Sequence, residues 1–217
     1  MWWIIWGFLG FVWGHAATLT TPAQEFLWDR HAKPFQQQYG QEKASLGAVF
    51  YVSLSCFHCR DLLNSFIRPL IESPEVKSGA LWVGLRDFPS DHLGFWASVF
   101  CWQQRNGQTE AFNKAMDQTS WLEDGKPLEA LAKILGRSFA QLTQNTKKNT
   151  ELKSKLMTLA QKEQKILNIR QVPIVFLVSE KSYQAITDVR VAHVKKALHS
   201  WIESHKNAST IENKNVT

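Results

Sequence analysis

Ala48-Val49-Phe50-Tyr51-Val52-Ser53-Leu54 leads, one residue later, into Cys56-Phe57-His58-Cys59, and that into Arg60-Asp61-Leu62-Leu63-Asn64-Ser65-Phe66-Ile67. The first run is apolar and β-branched, the last amphipathic. The order reads as a strand, a Cys-x-x-Cys at a helix start, and a helix. A thiolate in that place faces unpaired backbone N–H groups and the positive end of the helix dipole. Its pKa falls, so it can attack or leave as an anion. Cys56 is therefore the expected reactive thiol, and Cys59, one turn on, the partner that closes the ring. His58 is expected to favour the Cys56 anion if it is protonated or donates an N–H. Whatever stabilises the thiolate stabilises the reduced form and makes the disulfide a stronger oxidant.

Two other readings of the pair exist. A Cys-x-x-Cys can be half of a zinc site, but tetrahedral zinc wants four ligands. The chain has three cysteines, and no His-x-x-x-His follows at finger spacing, so no metal site is expected. An inert structural disulfide would close a very small loop and gain little chain entropy. The redox reading is the one adopted, and it requires no cofactor.

The chain has 217 residues, 44% hydrophobic and 20% charged, which is the make-up of a folded globule. Its formal charge is +6. Without a clustered basic stripe or a recognition motif this does not point to nucleic acid. Residues 1–12 are nearly all apolar, with Trp2, Trp3, Ile4, Ile5 and Trp6 leading, followed by Gly14-His15-Ala16. The run is short for a bilayer span and suits a signal-peptide core. No Lys or Arg precedes it. Cleavage after Ala16 is the preferred reading, an uncleaved anchor the second, a cytosolic segment the third. Export would place the domain where disulfides form.

Thr18 to Gln41 is polar, and Thr21-Pro22 with Glu25 marks a helix start. The segment is expected to be a short helix or irregular chain packed on the sheet. His31 in it reads as a surface or capping histidine. Leu46 to Leu54 is the first strand, apolar enough to be buried on both faces. The helix from Phe57 is expected to reach Ile67 and to kink or stop at Pro69. Ala80 to Leu85 is the second strand, joined to the first by a parallel crossover. Helical patterns follow at Asp91–Gln104, Thr109–Met116, Pro127–Leu135, Ser138–Thr143 and Glu151–Leu167, with no strand signal among them. The lysines at 147, 148, 153, 155, 162 and 165 read as a solvated face. Cys101, among Val99, Phe100 and Trp102, reads as a buried thiol acting as a small hydrophobe; a regulatory or resolving thiol is the alternative.

Val172-Pro173-Ile174-Val175-Phe176-Leu177-Val178 is a third buried strand that opens with proline. Proline cannot donate to the ladder. A cis Val172–Pro173 bond beside the cysteines would leave the Val172 backbone able to pair with an extended substrate. An ordinary trans bond is the alternative, and trans is the commoner isomer at X–Pro. Tyr183 to Thr187 suits a fourth strand, and Val189 to Ile202 a closing helix. From Lys206 the tail is polar and expected to be disordered.

Taken together, Cys56-Phe57-His58-Cys59, Arg86-Asp87-Phe88-Pro89, the Cys101 helix and Ile169-Arg170-Gln171-Val172-Pro173 make the chain resemble the DsbA-type thiol:disulfide oxidoreductases over Leu46 to Ile202. The resemblance implies an α/β, thioredoxin-like fold with an inserted all-helical subdomain. On it, residues 1–16 are a signal peptide or anchor, and 17–89 the first thioredoxin-like part. Residues 90–168 are the insertion, 169–205 the second thioredoxin-like part, and 206–217 a polar tail. Cys56 becomes the nucleophile, Cys59 the resolving cysteine and His58 the thiolate-stabilising histidine. Val172-Pro173 takes the place of the cis-proline loop, and Phe57, Val172 and Pro173 contact substrate. The family implies a periplasmic monomer. Its substrates would be unfolded or reduced exported proteins, and its re-oxidant a quinone-linked membrane partner of the DsbB kind. A reductase or isomerase, or a non-redox chaperone or assembly factor, is the alternative. Two positions depart from the family. Phe57 stands where well-known members carry proline, and Phe50, six before Cys56, where the family often has a buried acid.

Overall fold

The computed structural model describes residues 21–29, 35–104 and 107–214, with side chains to 206. The leader and His31 lie outside the described residues. No helix among them is long and apolar enough to cross a membrane.

In chain order the elements begin with α1 (Pro22–Trp28), β1 (Gln36–Tyr39), β2 (Leu46–Val52) and α2 (Phe57–Leu62). A π-helical turn (Leu63–Ile67) follows, then α3 (Arg68–Ile71), α4 (Pro74–Lys77) and β3 (Leu81–Asp87). Six helices come next: α5 (His92–Trp102), α6 (Gln108–Asp117), α7 (Ser120–Glu123), α8 (Pro127–Ile134), α9 (Phe139–Lys148) and α10 (Thr150–Leu167). The chain closes with β4 (Ile174–Ser179), β5 (Tyr183–Ile186) and α11 (Val191–Lys214).

The five strands form one sheet in the order β1-β3-β2-β4-β5. β2 and β3 are parallel, with Phe50 opposite Leu85; β4 runs antiparallel to β2, with Phe50 opposite Val175. Every residue of β2, β3 and β4 is buried, which is why these strands read as near-continuous apolar runs. The pleat divides them by parity. Ala48, Phe50 and Val52 join a core with Leu63, Phe66 and Ile67 after α2 and with Val194 and Leu198 of α11. Val49 and Tyr51 face a second core with Ala23 and Leu27 of α1, Phe176, Leu167 and Ile169. The sheet is thus covered on both sides, the α/β arrangement the resemblance implies, with α5–α10 inserted between β3 and β4.

Four local findings differ from the reading of the sequence. β1 is built from Gln36-Gln37-Gln38-Tyr39 and pairs antiparallel with β3 at the sheet edge. Its amides carry no apolar alternation, and its place comes from β3's backbone and from the Gln36 amide oxygen, which accepts from Arg86 Nε at 2.6 Å. Pro69 does not stop its helix. The Arg68 N–H bonds to the Leu63 carbonyl five residues back. This wider turn opens the ladder where a proline ring would otherwise press on the carbonyl four residues before it. α7 lies between the helices read at Thr109–Met116 and Pro127–Leu135, where no element is expected. Finally, α11 runs on to Lys214, past Ile202 and through most of the polar tail, because Lys, Asn, Ser and Glu are no barrier to helix once a packed segment has nucleated it.

Candidate active site

The Cys-x-x-Cys lies where β2 gives way to α2. Cys56 is the N-cap of α2, with extended backbone, and its sulfur accepts the Cys59 backbone N–H at 3.2 Å. This is the usual capping bond with sulfur in place of oxygen. A tight turn before it is closed by the Cys56 N–H on the Ser53 carbonyl at 3.1 Å. Cys56 is partly exposed, while Cys59 is fully buried. Both are free thiols, as is the buried Cys101.

The two thiols are pushed in opposite directions. Cys56 is lowered to about 7, first by a hydrogen bond from the Cys59 thiol, against the opposing effect of partial burial. The backbone N–H groups of Cys59 and His58 and the charge of Arg60 add to the lowering. Burial pushes Cys59 far up, and the bond it donates to Cys56 adds to that. One sulfur is therefore poised as a thiolate at neutral pH and its partner holds a proton. That asymmetry is what thiol–disulfide exchange requires of an attacking and a resolving cysteine.

Val172 and Pro173 come to the same place from the other end of the chain. The Val172–Pro173 peptide bond is cis. The Cys56 thiol donates to the Val172 carbonyl at 3.6 Å. Val172 is half-buried and Pro173 buried. Phe57 stands out at 64% exposure with its ring against the His58 ring. His58 is itself exposed, and what it contributes to the Cys56 anion comes from its backbone N–H.

The profile of the family described as thioredoxin matches residues 33–199. The chain belongs to the thioredoxin family. No curated protein sequence matches it. Among solved structures, α-DsbA1 of Wolbachia pipientis superposes with a TM-score of 0.60 at 20% identity, covering 80% of this chain and 94% of that one. A protein-disulfide isomerase from Novosphingobium aromaticivorans gives 0.62 at 15% identity, covering 79% and 99%. BdbD of Bacillus subtilis gives 0.59 at 16%, covering 77% and 93%. At these identities the likeness is one of fold, and the fold is that of DsbA-type thiol–disulfide oxidoreductases.

In this thioredoxin-family chain the insertion is tied to the cysteine turn by hydrogen bonds. The Ser55 hydroxyl donates to Asp91 Oδ2 at 2.7 Å, and the Ser53 and Ser55 hydroxyls lie 3.1 Å apart. Asp91 caps α5 by accepting the Gly94 N–H at 2.7 Å. A cleft of about 280 Å³ runs beside the loop into Val172, lined among others by Phe88, Phe95, Met157, Ile169 and Gln171. Met157 is exposed, and so available to apolar contact.

Phe50, at the position where the family often has a buried acid, is fully buried with its ring edge-on to Phe66. The buried acid of this region is Asp87, which accepts from Trp102 Nε1 at 2.7 Å and is raised by burial to about 7. Its charge acts on Cys101, whose thiol burial pushes up; it is not among the leading groups that shift Cys59. Arg86 of the same motif is structural, bonded to Gln36, Tyr51 and Glu163. No cluster of metal-binding side chains occurs among the described residues. Reading the sequence missed Ser53, Ser55 and Asp91 as a connected group, and missed Arg60. The available signal for Arg60 was its i,i+4 spacing from Cys56, which puts both on one helix face.

Proposed function

We propose that this chain is an envelope thiol:disulfide oxidoreductase that introduces disulfides into exported proteins. The observation that carries the reading is the paired asymmetry of Cys56 and Cys59 beside Val172. A half-exposed sulfur is held near pKa 7, and its partner is buried and protonated.

In the oxidised protein a substrate thiolate attacks the Cys56 sulfur. The Cys56–Cys59 bond breaks, and Cys59 leaves with the electron pair and takes up a proton. A second substrate thiolate attacks the substrate sulfur of the mixed disulfide, forming the substrate disulfide and releasing the Cys56 thiolate. A low-pKa thiolate is a good leaving group, so this last step is the one the Cys56 environment favours. Two electrons now rest on the Cys pair as a dithiol. A membrane re-oxidant of the quinone-linked, DsbB-like kind would remove them. The Val172 backbone, Pro173 and the exposed Phe57 are the surfaces that would hold an extended substrate. His58 would support the Cys56 anion through its backbone N–H. The leader, read as a signal peptide, would deliver the chain to the periplasm as a monomer.

The deciding measurement is the reduction potential of the pair, taken on residues after Ala16 by equilibration with glutathione and thiol alkylation. A strongly oxidising value, near about −120 mV, supports a dithiol oxidase. A value near about −270 mV moves the reductase or isomerase reading ahead. No exchange with glutathione would retire both in favour of a chaperone or assembly role.

A further inference from the structure

Arg60 follows Cys59 directly, and only 3% of it is exposed. Buried arginines are ordinarily paired with carboxylates. This one has no carboxylate within ion-pair distance among the described residues. Its Nη2 donates to the Leu54 carbonyl at 3.2 Å, and its Nε, also buried, has no hydrogen-bond partner. Leu54 lies inside the Ser53–Cys56 turn that presents the reactive sulfur. The guanidinium is therefore anchored within the active-site turn, carrying a charge that no contacting carboxylate neutralises.

We propose that Arg60 adds to the oxidising strength of the Cys56–Cys59 pair, its buried positive charge stabilising the thiolate form and hence the reduced protein. The cost of burying an unpaired guanidinium is offset whenever Cys56 is ionised, and is least offset when the sulfurs form a neutral disulfide. The charge thus does the opposite of what a buried acid at position 50 would do. Burial lowers the Arg60 pKa, and Cys56 and Cys59 are the leading groups that oppose this, ahead of Asp61 and Glu123. Guanidinium stays protonated throughout. Arg60 touches no substrate in this arrangement; it acts through the sulfurs. The inference rests on the reading of Cys56 and Cys59 as an exchanging pair.

The reaction to follow is the pair's disulfide plus two glutathione thiols giving the Cys56 thiolate, a proton, the Cys59 thiol and oxidised glutathione. In Arg60→Gln and Arg60→Met the Cys56 thiolate midpoint, read by ultraviolet absorbance, should rise from about 7 toward the ordinary thiol range. The glutathione equilibrium should move toward the oxidised pair by about tenfold for each pH unit of that rise. Arg60→Lys should restore most of both. A role in folding alone would lower the melting temperature and leave the midpoint of the folded protein where it was, and that result overturns the proposal. Should neither neutral variant fold, the wild type decides. Its Arg60 Nε–H resonance should shift with the Cys56 titration in the reduced protein, and a resonance that does not move overturns the proposal. If instead the wild-type pair does not exchange with glutathione at all, it is the reading of the pair that fails.

Discussion

The Cys56 thiol donates to the Val172 carbonyl at 3.6 Å, across a sequence separation of 116. Two segments that flank the whole helical insertion thus meet at one sulfur. When Cys56 is a thiol the carbonyl accepts its hydrogen. When Cys56 is a thiolate that bond is lost, and the N–H of Cys59, 3.2 Å away, remains beside the Cys59 thiol and the His58 N–H. The Val172 carbonyl then loses that donor.

Cys56 alkylation should titrate with a midpoint near pH 7. The Cys59 thiol is the leading cause of that lowering, so Cys59→Ala should move the midpoint up toward the ordinary value of about 8.5. The same lowering enters stability. A depressed folded pKa contributes stability that is full above the unfolded value and is lost as pH falls through the folded value. Reduced wild type should therefore gain on Cys56→Ser between about pH 7 and pH 8.5 in denaturant melts. A flat difference across that window would contradict it.

Cys56→Ser should lose dithiol oxidation altogether, whereas Cys59→Ser should keep the first attack on an activated Cys56 and lose the back-reaction in which the Cys59 thiol expels the bound substrate sulfur. A thiol peptide offered an activated Cys56 should then accumulate as a mixed disulfide on non-reducing gels. Free turnover in either variant would remove the assignment of nucleophile and resolving cysteine.

Asp87 has its pKa raised to about 7 by burial. A raised carboxyl contributes stability that is full below the unfolded value and lost as pH rises through the folded one. Wild-type stability should decline from about pH 4 to about pH 7 on this account. Asp87→Asn keeps an acceptor for Trp102 Nε1 and cannot ionise. It should abolish the decline and be more stable at neutral pH, by about 1.4 kcal/mol for each tenfold by which burial tightens the carboxyl's hold on its proton. Chemical denaturation across that pH range checks it.

A Cβ on Gly94 would stand 2.6 Å from Ser53 Oγ and 2.7 Å from Ser55 Oγ. The two hydroxyls bridge the cysteine turn to Asp91, so they cannot both yield without breaking that chain. Gly94→Ala should cost about 1–3 kcal/mol, the usual range for overpacking, and should slow substrate oxidation more than Ala substitutions elsewhere in α5. An unchanged denaturation midpoint would show the α5 start to be looser than the structure has it.

Arg86 and Glu163 lie 3.4 Å apart, each with 2% of its side chain exposed, and join β3 to α10. Removing one partner leaves a buried charge. Glu163→Ala should destabilise by about 3 kcal/mol or more, with Arg86→Met in the same chain recovering part of the loss. A double variant no better than the single would place the loss in packing instead.

Much of the fold is legible in the sequence because the sheet is buried on both faces. Leu46–Val52, Leu81–Asp87 and Ile174–Ser179 have to be apolar throughout, and apolar runs of that length bounded by turn residues are hard to read as anything else. β1 is not legible, because an edge strand of glutamines is defined by its neighbour's backbone. Nor is the passage of a helix through Pro69, which depends on a π turn just before it. Ser53, Ser55 and Asp91 are ordinary polar residues until the fold brings the start of α5 against the cysteine turn.

Residue type and spacing set the chemistry available: two thiols one turn apart at a helix start, a Val-Pro strand far downstream, and a helical stretch between. Those features act locally and can be read along the chain. Position at the helix start singles out Cys56, but how far the two thiols differ is a property of the folded molecule. Which sulfur is exposed, that the Val172 carbonyl stands 3.6 Å from it, and that an unpaired Arg60 is enclosed with the pair all depend on what the rest of the chain removes from water. Desolvation and charge act through space, and no spacing along the chain specifies them.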